Sequence, residues 1–347
     1  MESTVQELLG RLSALDPAAS QSLRVIACFD ELIAGDVGVR GLLSAAAALS
    51  GRTVGLVRGD TMTRVDRRGE VLASTTPPAT AHCVLPDTLV WIETSTPDTE
   101  SLDALIVERL SLALLIRLDS RRITPPPRAL TVITDHGTAA AERRAAALRL
   151  GLHAGEAYRV IVAPLFASWR SHPRGPEDVV ATACGPVHTS IVTADASAEG
   201  TPSGLGSATA IDELDHSFRT AMIALRLHDG SDRGTRADDF GGLADILADL
   251  PEDRHSGDDL TSIESVMRHP WGARTIEALV GASSVREAAR AANIHHSTMA
   301  DRLTTITTTL KFNPVTGIGR TRLGLAYLQW RLQTSRVFDF TPQPVPH

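Results

Sequence analysis

A chain of 347 residues exceeds one ordinary domain and points to two or three. Apolar content of 43% supports real cores, and 22% charged residues is ordinary for a soluble protein; the longest apolar stretch, Leu110–Ile116, falls far short of the ~18 residues a membrane span needs. The net charge of −7 argues against a nucleic-acid binder only until it is divided along the chain, because residues 263–336 hold ten basic groups against four acids, a local +6 that leaves −13 on the remainder.

The first residues (MESTVQELLG) carry neither a basic region nor an apolar one, so no secretory signal is read and the expected location is the cytoplasm. Cys28, Cys83 and Cys184 are odd in number and widely spaced, which argues against a disulfide framework and a structural zinc site. Lys311 is the only lysine, and the abundance of arginine by itself says nothing about nucleic acid.

Proline-, glycine- and aspartate-rich seams divide the chain into three blocks, 1–122, 128–250 and 260–336, with the seams at Thr124–Pro127 and Pro251–Asp259. A proline-rich tail, Thr341–His347, is expected to lack structure. In the first block a helix is expected over Leu32–Leu49, stopped by Gly51. Strands follow at Thr53–Val57 and Thr61–Val65, the latter entering a hairpin at Gly69, and then at Leu89–Ile92. An apolar helix at Ser101–Leu118 closes the block. The second block opens with a helix at Thr138–Leu150. The apolar run Tyr158–Ala163 reads as a buried central strand, with shorter strands at Val179–Ala183 and Thr189–Thr193. Gly204-Leu205-Gly206 reads as a turn before a helix at Ile211–Leu227. The expected class is multidomain, α+β or α/β in the first two blocks and all-α in the third.

The third block carries the functional signal. Val285, Ala288, Ala289 and Ala292 make a narrow face of small residues at i, i+3, i+4 and i+7, which lets a second helix approach closely. Asn293 tolerates the left-handed conformation that a tight turn between helices needs, and Ile294 is placed to plug the angle. A second helix from about His295–Ser297 to Leu310 puts Met299, Leu303, Ile306 and Leu310 on one side and short polar side chains on the other. That is the pattern of a helix-turn-helix whose second helix lies in the major groove of double-stranded DNA. His296, Ser297, Ala300, Asp301 and Thr304 are the base-side candidates, and Arg286, Arg290 and Thr305 the phosphate candidates. The pair His295-His296 is not a metal site, since adjacent helical residues diverge and no partner stands at ligand spacing; no metal or cofactor is expected.

Residues 283–332 resemble the C-terminal helix-turn-helix of the PucR/CdaR family of bacterial regulators. The resemblance is carried by Ile294, His295, Thr298, Arg302 and Leu303, with Ala289 at the small position of the preceding helix. HPWGARTIEALV resembles the supporting helix before the motif, and GRTRLGLAYLQWRL the closing helix. His296, Ser297 and Asp301 stand where the family has Arg, Asn and Tyr, and Ala292 replaces a leucine. Two stretches of the second block, LRLGLHAGEAYRVIVAP and GLGSATAIDELDHSFRTAMIALRL, resemble the family's degenerate GGDEF-like middle domain, and LLSAAAALSGRTVGLVRGD in the first resembles a GAF-type sensory domain.

The resemblance implies a ligand-responsive DNA-binding transcription regulator, with an unidentified small-molecule effector and a homodimer or higher even oligomer. It implies DNA contacts for His295, Thr298 and Arg302, with Leu303 structural. An enzyme is not expected. A nucleotide cyclase would need metal-binding carboxylates, yet no Gly-Gly-Asp/Glu-Glu-Phe loop is present, and Asp238-Asp239 and Asp258-Asp259 lie outside the expected strands. The other open reading is a small-molecule sensor that works through a protein partner.

Overall fold

The computed structural model describes residues 17–34, 37–73, 82–85, 87–93, 100–119, 129–196, 199–250 and 258–338. The Thr124–Pro127 seam, most of the Pro251–Asp259 seam and the tail Thr341–His347 lie outside the described residues, as does the side chain of Cys83. The protein is mixed α/β with several sheets and many helices. It divides into two compact units, one formed by Met1–Gly241 with Val337–His347 and the other by Gly242–Arg336. Among the described residues no helix is long and apolar enough to cross a membrane.

In the first unit, helices α1 (Pro17–Ala34) and α2 (Val39–Ser50) precede strands β1 (Val54–Arg58), β2 (Thr61–Val65), β3 (Val71–Leu72), β4 (His82–Leu85) and β5 (Thr88–Ile92), and then α3 (Glu100–Asp119). The strands form one antiparallel sheet of order β3-β2-β1-β5-β4. The expected single helix over Leu32–Leu49 is two helices. Gly38 takes an extended conformation at the start of α2, and the Val37 N–H returns to the Leu32 carbonyl at 3.1 Å, so the chain turns between them. Gly51, at φ +67°, ends α2 as expected. Cys28 lies within the apolar cluster of α1, α2 and α3, and burial pushes its thiol pKa up, which makes it inert packing.

Helices α4 (Ala129–Thr134) and α5 (Ala140–Arg149) lead to a second sheet built from β6 (Tyr158–Pro164), β8 (Glu177–Thr182), β9 (Gly185–Thr193), β11 (Gly204–Leu205) and β12 (Thr235–Arg236). Its order is β12-β11-β6-β9-β8, with only the β11–β12 pair parallel. Strands β7 (Ser168–Ser171) and β10 (Glu199–Thr201) pair separately. The central position expected for Tyr158–Ala163 is the one β6 occupies, with Val160, Val162 and Ala163 fully buried. Helix α6 (Leu214–Arg226) packs on β6 and β11. Gly204 and Gly206 do not make a turn. Gly204 lies in β11 and Gly206 just beyond it, both beneath α6, where a Cβ on Gly204 would stand 2.1 Å from the Ala221 carbonyl oxygen.

The first block and the second as far as Gly241 form one compact unit, and residues 242–250 belong to the other. Val179 of β8 is buried in the same cluster as Leu42, Ala45 and Leu49 of α2, so the second sheet contributes to the first block's core. Asp238, one of the carboxylates weighed for metal binding, instead meets the guanidinium of Arg159 at 2.8 Å and that of Arg236 at 3.4 Å.

The second unit opens with α7 (Gly242–Asp249). Helices α8 (Asp258–Met267), α9 (Gly272–Gly281), α10 (Val285–Ala291), α11 (His296–Leu310) and α12 (Gly317–Thr334) then pack around one apolar cluster centred on Ile263, Ile276, Ala288, Met299, Ile306 and Leu323. The first turn of α8 is tied to α12 by a two-pronged pair, Arg322 Nε to Asp259 Oδ2 at 2.8 Å and Nη2 to Oδ1 at 2.6 Å. Hydrogen bonds from that guanidinium hold the Asp259 carboxyl below its ordinary range. A depressed carboxylate contributes stability that is present above its unfolded pKa of ~3.9 and is lost as pH falls through the folded value. The melting temperature of this unit should therefore drop on acidification below about pH 4. Asp259→Asn should flatten that part of the profile, and an unchanged acid limb in calorimetry would show that the pair contributes nothing.

Candidate nucleic-acid interface

The candidate reader is built from α10 and α11, and local chemistry fixes each end. Ser284 caps α10 by accepting the Glu287 N–H at 3.2 Å, while the Glu287 carboxylate reaches back to the Ser283 N–H at 2.9 Å and to its hydroxyl at 2.5 Å. This is a capping box, shifted by one residue on the return bond. Those bonds hold the Glu287 carboxyl below its usual range.

The other end of α10 closes in a Schellman motif. The Asn293 N–H reaches the Arg290 carbonyl and the Ile294 N–H the Ala289 carbonyl, both at 3.0 Å, with Asn293 at φ +54°. The left-handed residue expected at 293 is thus the pivot of the turn. Ile294, the first residue beyond it, packs against the apolar cluster. Ala288, Ala289 and Ala292 are buried, so the small face lets α10 lie close to α11.

His295 caps α11. Its Nδ1 accepts the Ser297 N–H at 3.3 Å and lies 2.8 Å from the Ser297 hydroxyl. With Nδ1 accepting, the ring proton sits on Nε2, which is a donor. Met299, Ile306 and Leu310 are buried and Leu303 packs against them, as the periodicity requires. Lys311 ends the helix at φ +59°.

The proposed contact residues fall into two sets. Arg286, Arg290, His295, His296, Ser297, Thr298, Ala300, Asp301, Thr304 and Thr305 are all exposed, and eight of the ten lie on α11 or its cap. Arg302 stands apart. It is half-buried, donates from Nη1 to the Thr275 hydroxyl at 2.9 Å and lies 5.2 Å from the Trp271 ring centroid. Its cation therefore braces α11 against α9, and Trp271 stacks in turn on His269 at 4.7 Å. The sequence places Arg302 correctly on the helix, but the contact with Trp271 depends on a residue 31 positions away and is not readable from periodicity. The Ser284–Glu287 spacing, by contrast, was readable as a capping signal and was missed.

The threonine hydroxyls are already committed as donors. Thr304 donates to the Ala300 carbonyl at 3.1 Å, Thr305 to Asp301 at 3.3 Å and Thr308 to Thr304 at 3.0 Å. Their oxygens remain available only as acceptors.

A third group was not anticipated. No metal ligands were expected, yet in the first unit His172, Glu177 and His188 bring ligand atoms within 4.8 Å of one another. Their spacing in sequence follows no familiar motif, because the pairing of β8 with β9 brings Glu177 near His188 and a loop returns His172 to them.

No protein-family model matches this chain, and no curated protein matches it. Among solved structures it is similar to a regulator of polyketide synthase expression from Bifidobacterium adolescentis, at 15% identity over 60% of this chain and 91% of that one, with a TM-score of 0.24.

Proposed function

We propose that the protein is a transcription regulator that binds double-stranded DNA through α10 and α11, with α11 laid in the major groove. The observation that carries this reading is the outward polar face of α11, which starts at His295 just past the left-handed turn at Asn293 and is backed by a continuous apolar stripe. A surface helix with no partner has no need of a tight, small-residue junction that angles its first turn away from the neighbouring helix.

In this reading His295, through Nε2–H, and His296, Ser297, Thr298, Ala300, Asp301 and Thr304 lie toward base edges. Arg286 and Arg290 lie toward phosphates, Thr305, whose hydroxyl proton goes to the Asp301 carbonyl, has none to give a phosphate and leaves that set, and Arg302 is a positioning residue. Because the Thr304 hydroxyl donates to its own helix, it would accept from an exocyclic amino group of adenine or cytosine. The sequence resemblance to PucR/CdaR regulators supports the same assignment. It extends the proposal to a GAF-like sensory region at 1–122, a GGDEF-like region at 128–250 and the DNA-binding region at 260–336, with a small-molecule effector and a dimer or higher even oligomer on paired half-sites about one helical turn apart. No catalytic role is assigned.

Selection of duplexes from a randomised library by the full-length chain, followed by anisotropy titrations across salt, tests the proposal. Specific binding should weaken along a linear log–log slope as salt rises, and no duplex binding even at low salt would end it. The selected motif allows a finer test. Asp301, exposed on the reader face, is expected to accept from a cytosine amino group, so Asp301→Ala should relax preference at one position per half-site by about 1–3 kcal/mol. Unchanged base preference would remove Asp301 from the contact set.

A further inference from the structure

We propose that the first unit binds one divalent transition cation, zinc by its donor set, through His172, Glu177 and His188, with Glu31 of α1 completing the shell. This site is independent of the DNA-binding reading. It is built by the geometry of the second sheet. His188 of β9 lies opposite Val179 of β8, and Ser190 lies opposite Glu177, so Glu177, Val179, His188 and Ser190 share one face. Val179 on that face is buried in the core formed by the first block's helices, and the Glu31 carboxylate of α1 reaches the same place. The loop carrying His172 is pinned down. The Ile191 N–H bonds the Pro176 carbonyl at 2.9 Å, and a Cβ on Gly175 would stand 1.9 Å from the Ile191 carbonyl oxygen.

The distances suit a shared ion. A tetrahedral zinc with bonds of about 2.0–2.1 Å holds its ligand atoms about 3.3 Å apart. Here His188 Nε2 lies 2.8 Å from Glu177 Oε2, and His172 Nε2 lies 3.3 Å from Glu31 Oε2. Although these contacts are close, neither buried Nε2 has a hydrogen-bond partner among the described residues, and His188 is only 5% exposed. Nitrogens that approach carboxylate oxygens out of line with any N–H are arranged to converge on a common centre, because leaving them bare would cost about 1–3 kcal/mol each. Around them stand the supports a metal site needs. The His172 Nδ1 is 3.2 Å from the Pro173 carbonyl, which selects the tautomer with Nε2 unprotonated. The Ser190 hydroxyl donates to Glu177 Oε2 at 3.2 Å. The Trp169 ring lies 5.4 Å from His172 and 5.8 Å from His188 and screens the group from water.

Two imidazoles and carboxylate oxygens make a donor set for a borderline cation, not for magnesium or calcium. The bound ion would clip α1 to β8 and β9, so that cation binding and folding of this unit are linked.

The test uses the full-length chain stripped with chelator and titrated with zinc chloride against a chromophoric competitor, with cobalt(II) as an optical probe of geometry. One equivalent should bind, give a tetrahedral cobalt spectrum and raise the melting temperature. His172→Gln and His188→Gln should each weaken binding by at least ~100-fold, since even outer-shell partners are worth about 10–100-fold. A His295→Gln/His296→Gln double variant should bind as wild type does. Circular dichroism checks folding, and if the buried His188→Gln change unfolds the chain, the partly exposed His172 and Glu31, as His172→Gln and Glu31→Gln, decide. Absence of uptake by the wild-type chain would mean an ion-pair network only and overturns the proposal. Uptake that survives His172→Gln, or that disappears in the His295/His296 variant, overturns it equally.

Discussion

Replacing Arg286 and Arg290 together by alanine is expected to weaken duplex binding about 100-fold while leaving base preference intact. Both residues are exposed and stand one turn apart on α10, the helix that precedes α11. A hydrogen bond to a charged group is worth about 1.5–3 kcal/mol, so each lost phosphate contact costs at least about tenfold. Losing two contacts should also reduce the salt slope by about 2, whereas a base contact would leave the slope nearly unchanged. Anisotropy titrations at four or five salt concentrations read both quantities. A slope identical to wild type would show that α10 does not meet the backbone and that the helix pair faces some other partner.

A second large effect is expected in the first unit, from the smallest possible substitution. An added Cβ on Gly206 would lie 2.0 Å from the Ser217 carbonyl oxygen and 2.6 Å from its hydroxyl. That hydroxyl is already occupied, accepting from the Val160 N–H at 2.9 Å and donating to the Ser207 carbonyl at 2.7 Å, so it fastens α6 to the sheet. No rotamer can relieve a clash with backbone. Gly206→Ala should therefore destabilise the unit by at least the ~1–3 kcal/mol typical of overpacking, seen as a lower urea midpoint. Gly324→Ala in α12 is the contrast. An added Cβ there would meet no atom within 4 Å beyond its own stretch of helix backbone, and removing a glycine from the helix interior should stabilise the second unit by up to about 1 kcal/mol. Equal midpoints for Gly206→Ala and wild type would mean that strand and helix are not so close.

These glycines mark the boundary of what the residue pattern reveals. Periodicity is a local property, so the apolar stripe of α11, the small face of α10 and the left-handed Asn293 are all legible in the residue order. The central strand β6 was legible for the same reason, as an unbroken apolar run. What failed involved partners distant in sequence. Gly204-Leu205-Gly206 looks like a turn until α6 is seen lying on it. One miss, by contrast, was local: Gly35, Asp36 and Gly38 interrupt the helical composition, and Gly38 is extended at the start of α2. The first two blocks look separable because a proline-rich seam divides them, yet Val179 enters the core of the first. Arg302 looks like a groove-facing cation until Trp271 and Thr275 take it up. His172, Glu177 and His188 look unrelated until β8 pairs with β9.

The residue that closes α11 has a practical use. Lys311 is exposed, sits in the left-handed region at the end of that helix, and carries the only lysine amine in the chain. Amine-directed dyes and cross-linkers thus find one internal handle, set by composition without engineering, at the far end of the segment whose behaviour most needs watching. A fluorophore placed there would report on the orientation and tumbling of α11 with every cysteine left untouched.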